Sequence, residues 1–202
     1  MTRRVPWVTL VFVAAAAVRA LVPAGAAALE YDRAAVAAGD FWRPFTSQLV
    51  HWSGRMAVAD LGTVLVLGTL LERRSRRAAL LAIACGLALA AAGLHWLPPP
   101  VTRYRGSSTV ASALYVALAL DLGRGARSAA VRGGALLAVA GLLAKTGFEA
   151  ATGRALFAGP MPPGVEVLPR AHLLGGLGGA IGWLLGVSAP CAAPSGPSWR
   201  SS

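Results

Sequence analysis

Acidic side chains are scarce in this 202-residue chain: eight Asp and Glu stand against nineteen Lys and Arg, and charge of both signs makes up only 13%. Soluble domains carry about a quarter charged residues, so a fold wetted on all sides is excluded. Cysteine is rarer still. Cys85 lies inside an apolar run and Cys191 near the carboxy terminus, which excludes a disulfide framework and a thiolate metal centre. Histidine occurs three times, without zinc spacing, and neither a nucleotide-binding glycine loop nor an internal repeat is present. No cofactor and no metal are therefore expected. The net charge of +11 does not signal a nucleic-acid partner, because the arginines sit in short loops and form no binding face.

What is abundant is apolar sequence: 56% of residues are hydrophobic and mean hydropathy is +0.61. Apolar stretches near the length of a bilayer crossing recur at about 7–29, 46–71, 78–96, 108–122, 133–151 and 172–187. The expectation is an all-α polytopic membrane protein, a six-transmembrane-helix bundle, forming one domain over about residues 1–189, its partner the lipid bilayer. The Ser-, Pro- and Ala-rich tail at about 190–202 reads as disordered and cytoplasmic. Two readings of the first stretch stand: a retained helix, favoured by its length and by Arg19 within it, or a signal peptide cleaved near Ala24 to Ala28.

Charge sets the expected orientation. With six spans, the arginines of the amino terminus, of Arg73 to Arg77 and of Arg124 to Arg132 fall on one side. The positive-inside rule makes that side cytoplasmic and places both termini there. Arg103, Arg105 and Arg170 oppose the bias. Ser108 and His172 then begin their helices from the outer side.

The chemistry concentrates at Tyr104-Arg-Gly-Ser-Ser-Thr109. The apolar run opening at Ser108 gives roughly 22 Å of helix against roughly 30 Å of hydrocarbon, so its serine end is expected below the membrane surface, in a wet pocket. The last span is equally short, and Gly175, Gly179, Gly182 and Gly186 follow His172 on one helical face, a surface that lets helices approach closely. The fourth span offers Ser108, Ser112, Tyr115 and Ala119. If these faces pack together, a serine meets a histidine base, the minimal activated nucleophile. The bland readings are a helix-bridging serine and a packed histidine. Ser107 is a rival nucleophile, because helix register at a corner is uncertain by a residue. Lys145 and Glu149, four apart, pair across one turn and reach for the outer headgroups or recognise a substrate terminus or basic tail. His51, Arg55 and Asp60 lie in the second span, where ionisable groups face the interior or a cavity.

Several short motifs resemble one family in order and spacing. Phe41-Trp-Arg-Pro-Phe-Thr46 and Leu49-Val-His-Trp-Ser53 resemble the first outer loop and second core helix of the rhomboid intramembrane serine proteases. Gly106-Ser-Ser108 is similar to that family's Gly-x-Ser nucleophile motif, and Ala171-His-Leu-Leu-Gly175 to its histidine helix. Tyr104-Arg-Gly106, Lys145 with Glu149, and Glu149-Ala-Ala-Thr-Gly153 before Leu156-Phe157 resemble the rhombosortase branch.

The resemblance implies a rhomboid-like six-helix bundle in the bacterial inner membrane, its site opening outward. It implies Ser108 as nucleophile and His172 as general base. The substrates implied are transmembrane segments or carboxy-terminal Gly-Gly sorting segments of exported proteins, cleaved with hydrolysis or acyl transfer. The chain departs from the family where it has Thr109 for the usual glycine, Met56 and Asp60 for the usual oxyanion-side His and Asn, and Ser112 for the aromatic stacked on the histidine. A protonated Asp60 would still donate to an oxyanion, and so would the backbone N–H groups of Ser108 and Thr109. His51 is read as structural or oxyanion-side, and Tyr104 and Arg105 as substrate-side or structural. The alternative is an inactive rhomboid-like protein that binds transmembrane segments.

Overall fold

The computed structural model describes residues 5–22, 24–98, 101–156 and 167–187. The tail at 190–202, the basic start and Pro160 to Pro163 lie outside them. Among the described residues the order is α1 (Trp7–Leu21), α2 (Ala26–Leu29), β1 (Tyr31–Asp32), α3 (Arg33–Ala37), α4 (Arg43–Thr46), a 3-10 turn (Ser47–Leu49), α5 (Gly54–Arg74), α6 (Arg76–Trp96), β2 (Arg103–Tyr104), α7 (Ser108–Arg124), α8 (Ala129–Thr152) and α9 (Pro169–Val187). The chain is mostly helical. Three of these helices, α5, α6 and α8, are long and apolar enough to cross a membrane, as expected of a multi-pass membrane protein. Helices α1 and α7 are apolar but shorter, at 15 and 17 residues, and α9 has its hydropathy diluted by glycine.

Helix starts follow from serine caps. Ser53, Ser75 and Ser128 each accept a hydrogen bond from the N–H three residues on, at 3.2, 3.1 and 3.3 Å, and each such cap stabilises its helix by about 1 kcal/mol. Ser53 explains why the second apolar stretch starts its long helix at Gly54 and not near Thr46. The residues ahead of it form α4, opened by Pro44 in its first turn, and the 3-10 turn. The first stretch is likewise two helices, because the chain takes a left-handed turn at Gly25, φ 76°.

Helix α7 is the central element. Every residue from Thr109 to Ala119 is buried except Tyr115. Helix α9 wedges between α7 and α6 on its glycines. A Cβ at Gly175 or Gly179 would overlap the backbone of Thr109 or Ala113, and one at Gly178, Gly182 or Gly186 would strike the backbone of α6 at Gly86, Leu81 or Ala78. The glycine face of α9 is thus a packing face, as its spacing suggested. The row of α7 that meets it runs through Thr109 and Ala113, one position on from the Ser108, Ser112 and Tyr115 stripe.

At the corner-bearing end, β1 and β2 pair antiparallel, Tyr31 opposite Tyr104, over a second apolar cluster of Val36, Leu94, Val101 and Ala171. At the opposite end Asp121 of α7 joins Arg74 of α5 at 2.5 Å and accepts from Trp183 Nε1 of α9 at 3.3 Å. Helix α1 is held by one buried carboxylate: Glu72 accepts from the Val8 N–H at 3.1 Å and from the Thr9 N–H and hydroxyl at 2.9 Å.

Candidate active site

The corner before α7 is built around a glycine. Gly106 has φ 136°, a conformation that side chains disfavour, and a Cβ there would lie 2.5 Å from the Met56 methyl. Its N–H donates to the Ser47 carbonyl at 3.0 Å and its carbonyl accepts from the Tyr104 hydroxyl at 3.0 Å. Burial raises the Tyr104 hydroxyl above its ordinary pKa, so it stays a neutral donor. The same oxygen lies 3.4 Å from Ser108 Oγ and 3.3 Å from Thr109 Oγ1.

The two serines part company here. Ser107 is fully buried, its Oγ 3.0 Å from His51 Nε2, and its N–H donates to Asp60 Oδ2 at 3.1 Å. His51 Nε2 also lies 3.5 Å from that Asp60 oxygen. Ser107, His51 and Asp60 therefore form a cluster that ties the corner to α5. Ser108, the first residue of α7, is partly exposed. The first intrahelical bond runs from the Ala111 N–H to the Ser107 carbonyl, so the N–H groups of Ser108 and Thr109 have no acceptor within the helix.

His172 stands in the first turn of α9, buried, and one turn before the Gly175–Thr109 backbone contact. Contacts at Gly175–Thr109 and Gly179–Ala113 run in the same sense, so α7 and α9 start at the same end and carry Ser108 and His172 there together. Among the described residues no hydrogen bond joins the two side chains. The imidazole Nδ1 instead lies 2.9 Å from Glu149 Oε2 and 3.2 Å from Lys145 Nζ.

Lys145 and Glu149 do pair across one helical turn, with Nζ 2.8 Å from both carboxylate oxygens. The Glu149 side chain is 2% exposed and faces His172, and its Oε1 also accepts from the Leu156 N–H at 3.1 Å. Asp60 Oδ2 accepts from the Ser107 backbone N–H and lies 3.5 Å from His51 Nε2, a contact apart from the oxyanion-donor part considered from sequence. Arg105 is occupied as well: its Nε lies 2.6 Å from Glu30 Oε2 and its guanidinium stacks 4.4 Å over the Trp52 ring, while Arg103 pairs with Glu30 Oε1. Sequence reasoning missed Glu30 and Trp52; the signal available was that a chain with so few acids places one beside a ribbon carrying two arginines. Among the described residues no cluster of His, Cys, Asp and Glu would hold a metal ion.

A family model described as the Rhomboid domain matches residues 38–188, most of the chain. The chain belongs to the rhomboid family. Its matched region takes in the Gly106 corner, Ser108, α8 and the histidine helix, and the family consists typically of intramembrane serine proteases. No curated protein matches the chain, and no solved structure does.

Proposed function

We propose that this rhomboid is an intramembrane serine endopeptidase, rhombosortase-like in substrate, working through Ser108 and His172. The observation that carries the reading is the glycine seam. It sets a partly exposed serine and a buried histidine at the same end of two parallel helices, with helix-start N–H groups beside the serine. In the reaction Ser108 Oγ attacks the scissile carbonyl carbon while His172 Nε2 takes the hydroxyl proton. The negative oxygen is received by the N–H groups of Ser108 and Thr109, favoured by the positive end of α7. The tetrahedral intermediate collapses as His172 returns the proton to the leaving amine, and water or an external amine then takes the acyl group from Ser108. Met56 has no hydrogen to donate and Asp60 Oδ2 is taken by the Ser107 N–H, so the backbone N–H groups are the main oxyanion donors in this reading.

Helices α1, α7 and α9 join α5, α6 and α8 as six passages, both termini cytoplasmic in a bacterial inner membrane and the corner outward. The substrate is a segment with Gly-Gly, an apolar helix and a basic tail. Reconstitution in vesicles with such a reporter tests this: cleavage is expected for wild type, lost with Ser108→Ala and lost when Gly-Gly becomes Val-Val. Cleavage indifferent to the Gly-Gly pair would remove the sorting specificity. Binding of the reporter without cleavage by wild type would favour the second reading, an inactive segment-binding rhomboid, which Met56 at the oxyanion side also suits.

A further inference from the structure

The Glu149–Lys145 pair of α8 is turned onto His172 of α9. Its carboxylate is buried, bonded to an ammonium, to a backbone N–H and to the one imidazole nitrogen that the proposed chemistry leaves unused. Resting on the reading of Ser108 and His172 as the catalytic pair, we propose that Glu149 is a positioning residue for His172. Its carboxylate accepts the Nδ1–H bond and fixes the tautomer whose Nε2 is free to take the Ser108 proton, while Lys145 balances the carboxylate.

Two contacts compete for Nδ1, and they demand opposite tautomers. A carboxylate only accepts, so the 2.9 Å contact with Glu149 requires hydrogen on Nδ1. An ammonium only donates, so the 3.2 Å contact with Lys145 would require a lone pair there, moving the hydrogen to Nε2 and disabling the base. Lys145 has another outlet in both Glu149 oxygens, each at 2.8 Å. Among the described residues, Glu149 is the acceptor His172 has for a hydrogen on Nδ1. The carboxylate therefore wins, and its own position is fixed by the Leu156 N–H as well as by Lys145.

When Ser108 Oγ attacks, its proton moves to Nε2 and the ring becomes cationic. Glu149 keeps its negative charge throughout and stabilises that cation; it takes no proton. Lys145 balances part of that negative charge through its contacts with both carboxylate oxygens. Titratable and charged groups on the elements around this turn are Lys145 and Glu149 of α8, Tyr104 and Arg105 ahead of α7 with Tyr115 further along it, His95 at the end of α6, and Arg170 on α9 itself. Among the described residues, the polar atoms bonded to the imidazole are those of Lys145 and Glu149.

The test is the pH dependence of fluorophosphonate labelling in vesicles, with the tautomer read by nitrogen-15 NMR of histidine-labelled wild type. Glu149→Gln is expected to slow labelling roughly 10²–10⁴-fold and to move the acid limb to lower pH, because the cationic ring loses its counter-charge. Lys145→Met is expected to move the same limb to higher pH. A merely structural pair would reduce folded protein and leave the limb in place, and unmoved limbs in both variants overturn the proposal. If Glu149→Gln does not fold, the wild-type spectrum decides: hydrogen on Nδ1 of His172 supports the proposal, and hydrogen on Nε2 overturns it. Undiminished labelling in Ser108→Ala or His172→Ala would instead overturn the catalytic pair, and this proposal with it.

Discussion

Asp60 shows how far one side chain can depart from the part its position suggests. Where the family commonly offers an oxyanion donor, this chain has an acceptor that holds the Ser107 N–H and lies against His51. An amide can still accept through its oxygen, so Asp60→Asn is expected to keep the corner and most labelling, whereas Asp60→Ala leaves the buried Ser107 N–H unpaired at a cost of about 1–3 kcal/mol. Thermal unfolding of the two variants in detergent checks this. Gly106→Ala faces both an unfavourable φ and the Met56 methyl 2.5 Å away. Its expected outcome is loss of labelling with about 1–3 kcal/mol of destabilisation, and full labelling by a stable variant would contradict it. At this scale much of the candidate site is marked in the sequence. Gly-x-Ser and an Ala-His-Leu-Leu-Gly helix mark Ser108 and His172 by local pattern. Glu149 was marked only as a partner of Lys145, because i, i+4 spacing tells which residues share a face but not which helix that face meets. For Glu30 the scarcity of acids was the one signal, and it named no partner, because its arginines lie more than seventy positions away in sequence.

Between α7 and α9 the contact is backbone to backbone, and this is where glycine spacing is read as packing. The period of Gly175, Gly179, Gly182 and Gly186 announces a face made for close approach, and the structure lays that face on Thr109, Ala113, Leu81 and Ala78. The same period does not fix rotation of the partner, so the α7 row was legible only to within a residue. Gly179→Val should force the helices apart at Ala113 and misplace His172 relative to Ser108. The expected result is a lowered unfolding temperature together with lost labelling. Gly147, with open space around its Cβ position on α8, serves as the control: Gly147→Ala is expected to leave both unchanged. Equal behaviour of the two variants would remove the seam from the account.

Across the whole molecule, two buried carboxylates tie distant parts together, Glu72 binding α1 to the end of α5 and Glu30 binding the ribbon arginines. Glu72→Ala leaves the Thr9 N–H and hydroxyl and the Val8 N–H without their acceptor, each worth about 1–3 kcal/mol when buried. Earlier unfolding of that variant, with α1 cleaved first in limited proteolysis, is the expected outcome. Apolar length marks the three candidate spans α5, α6 and α8, while α1 and α7 are shorter and α9 is diluted by glycine. We propose from this packing that Ser108, and not its buried neighbour, is the nucleophile served by His172. Fluorophosphonate labelling of wild type, Ser107→Ala, Ser108→Ala and His172→Ala in detergent measures it most directly. Labelling of wild type and Ser107→Ala, with none in the other two, is the predicted result; labelling that survives Ser108→Ala, or folded wild type that never labels, would contradict it.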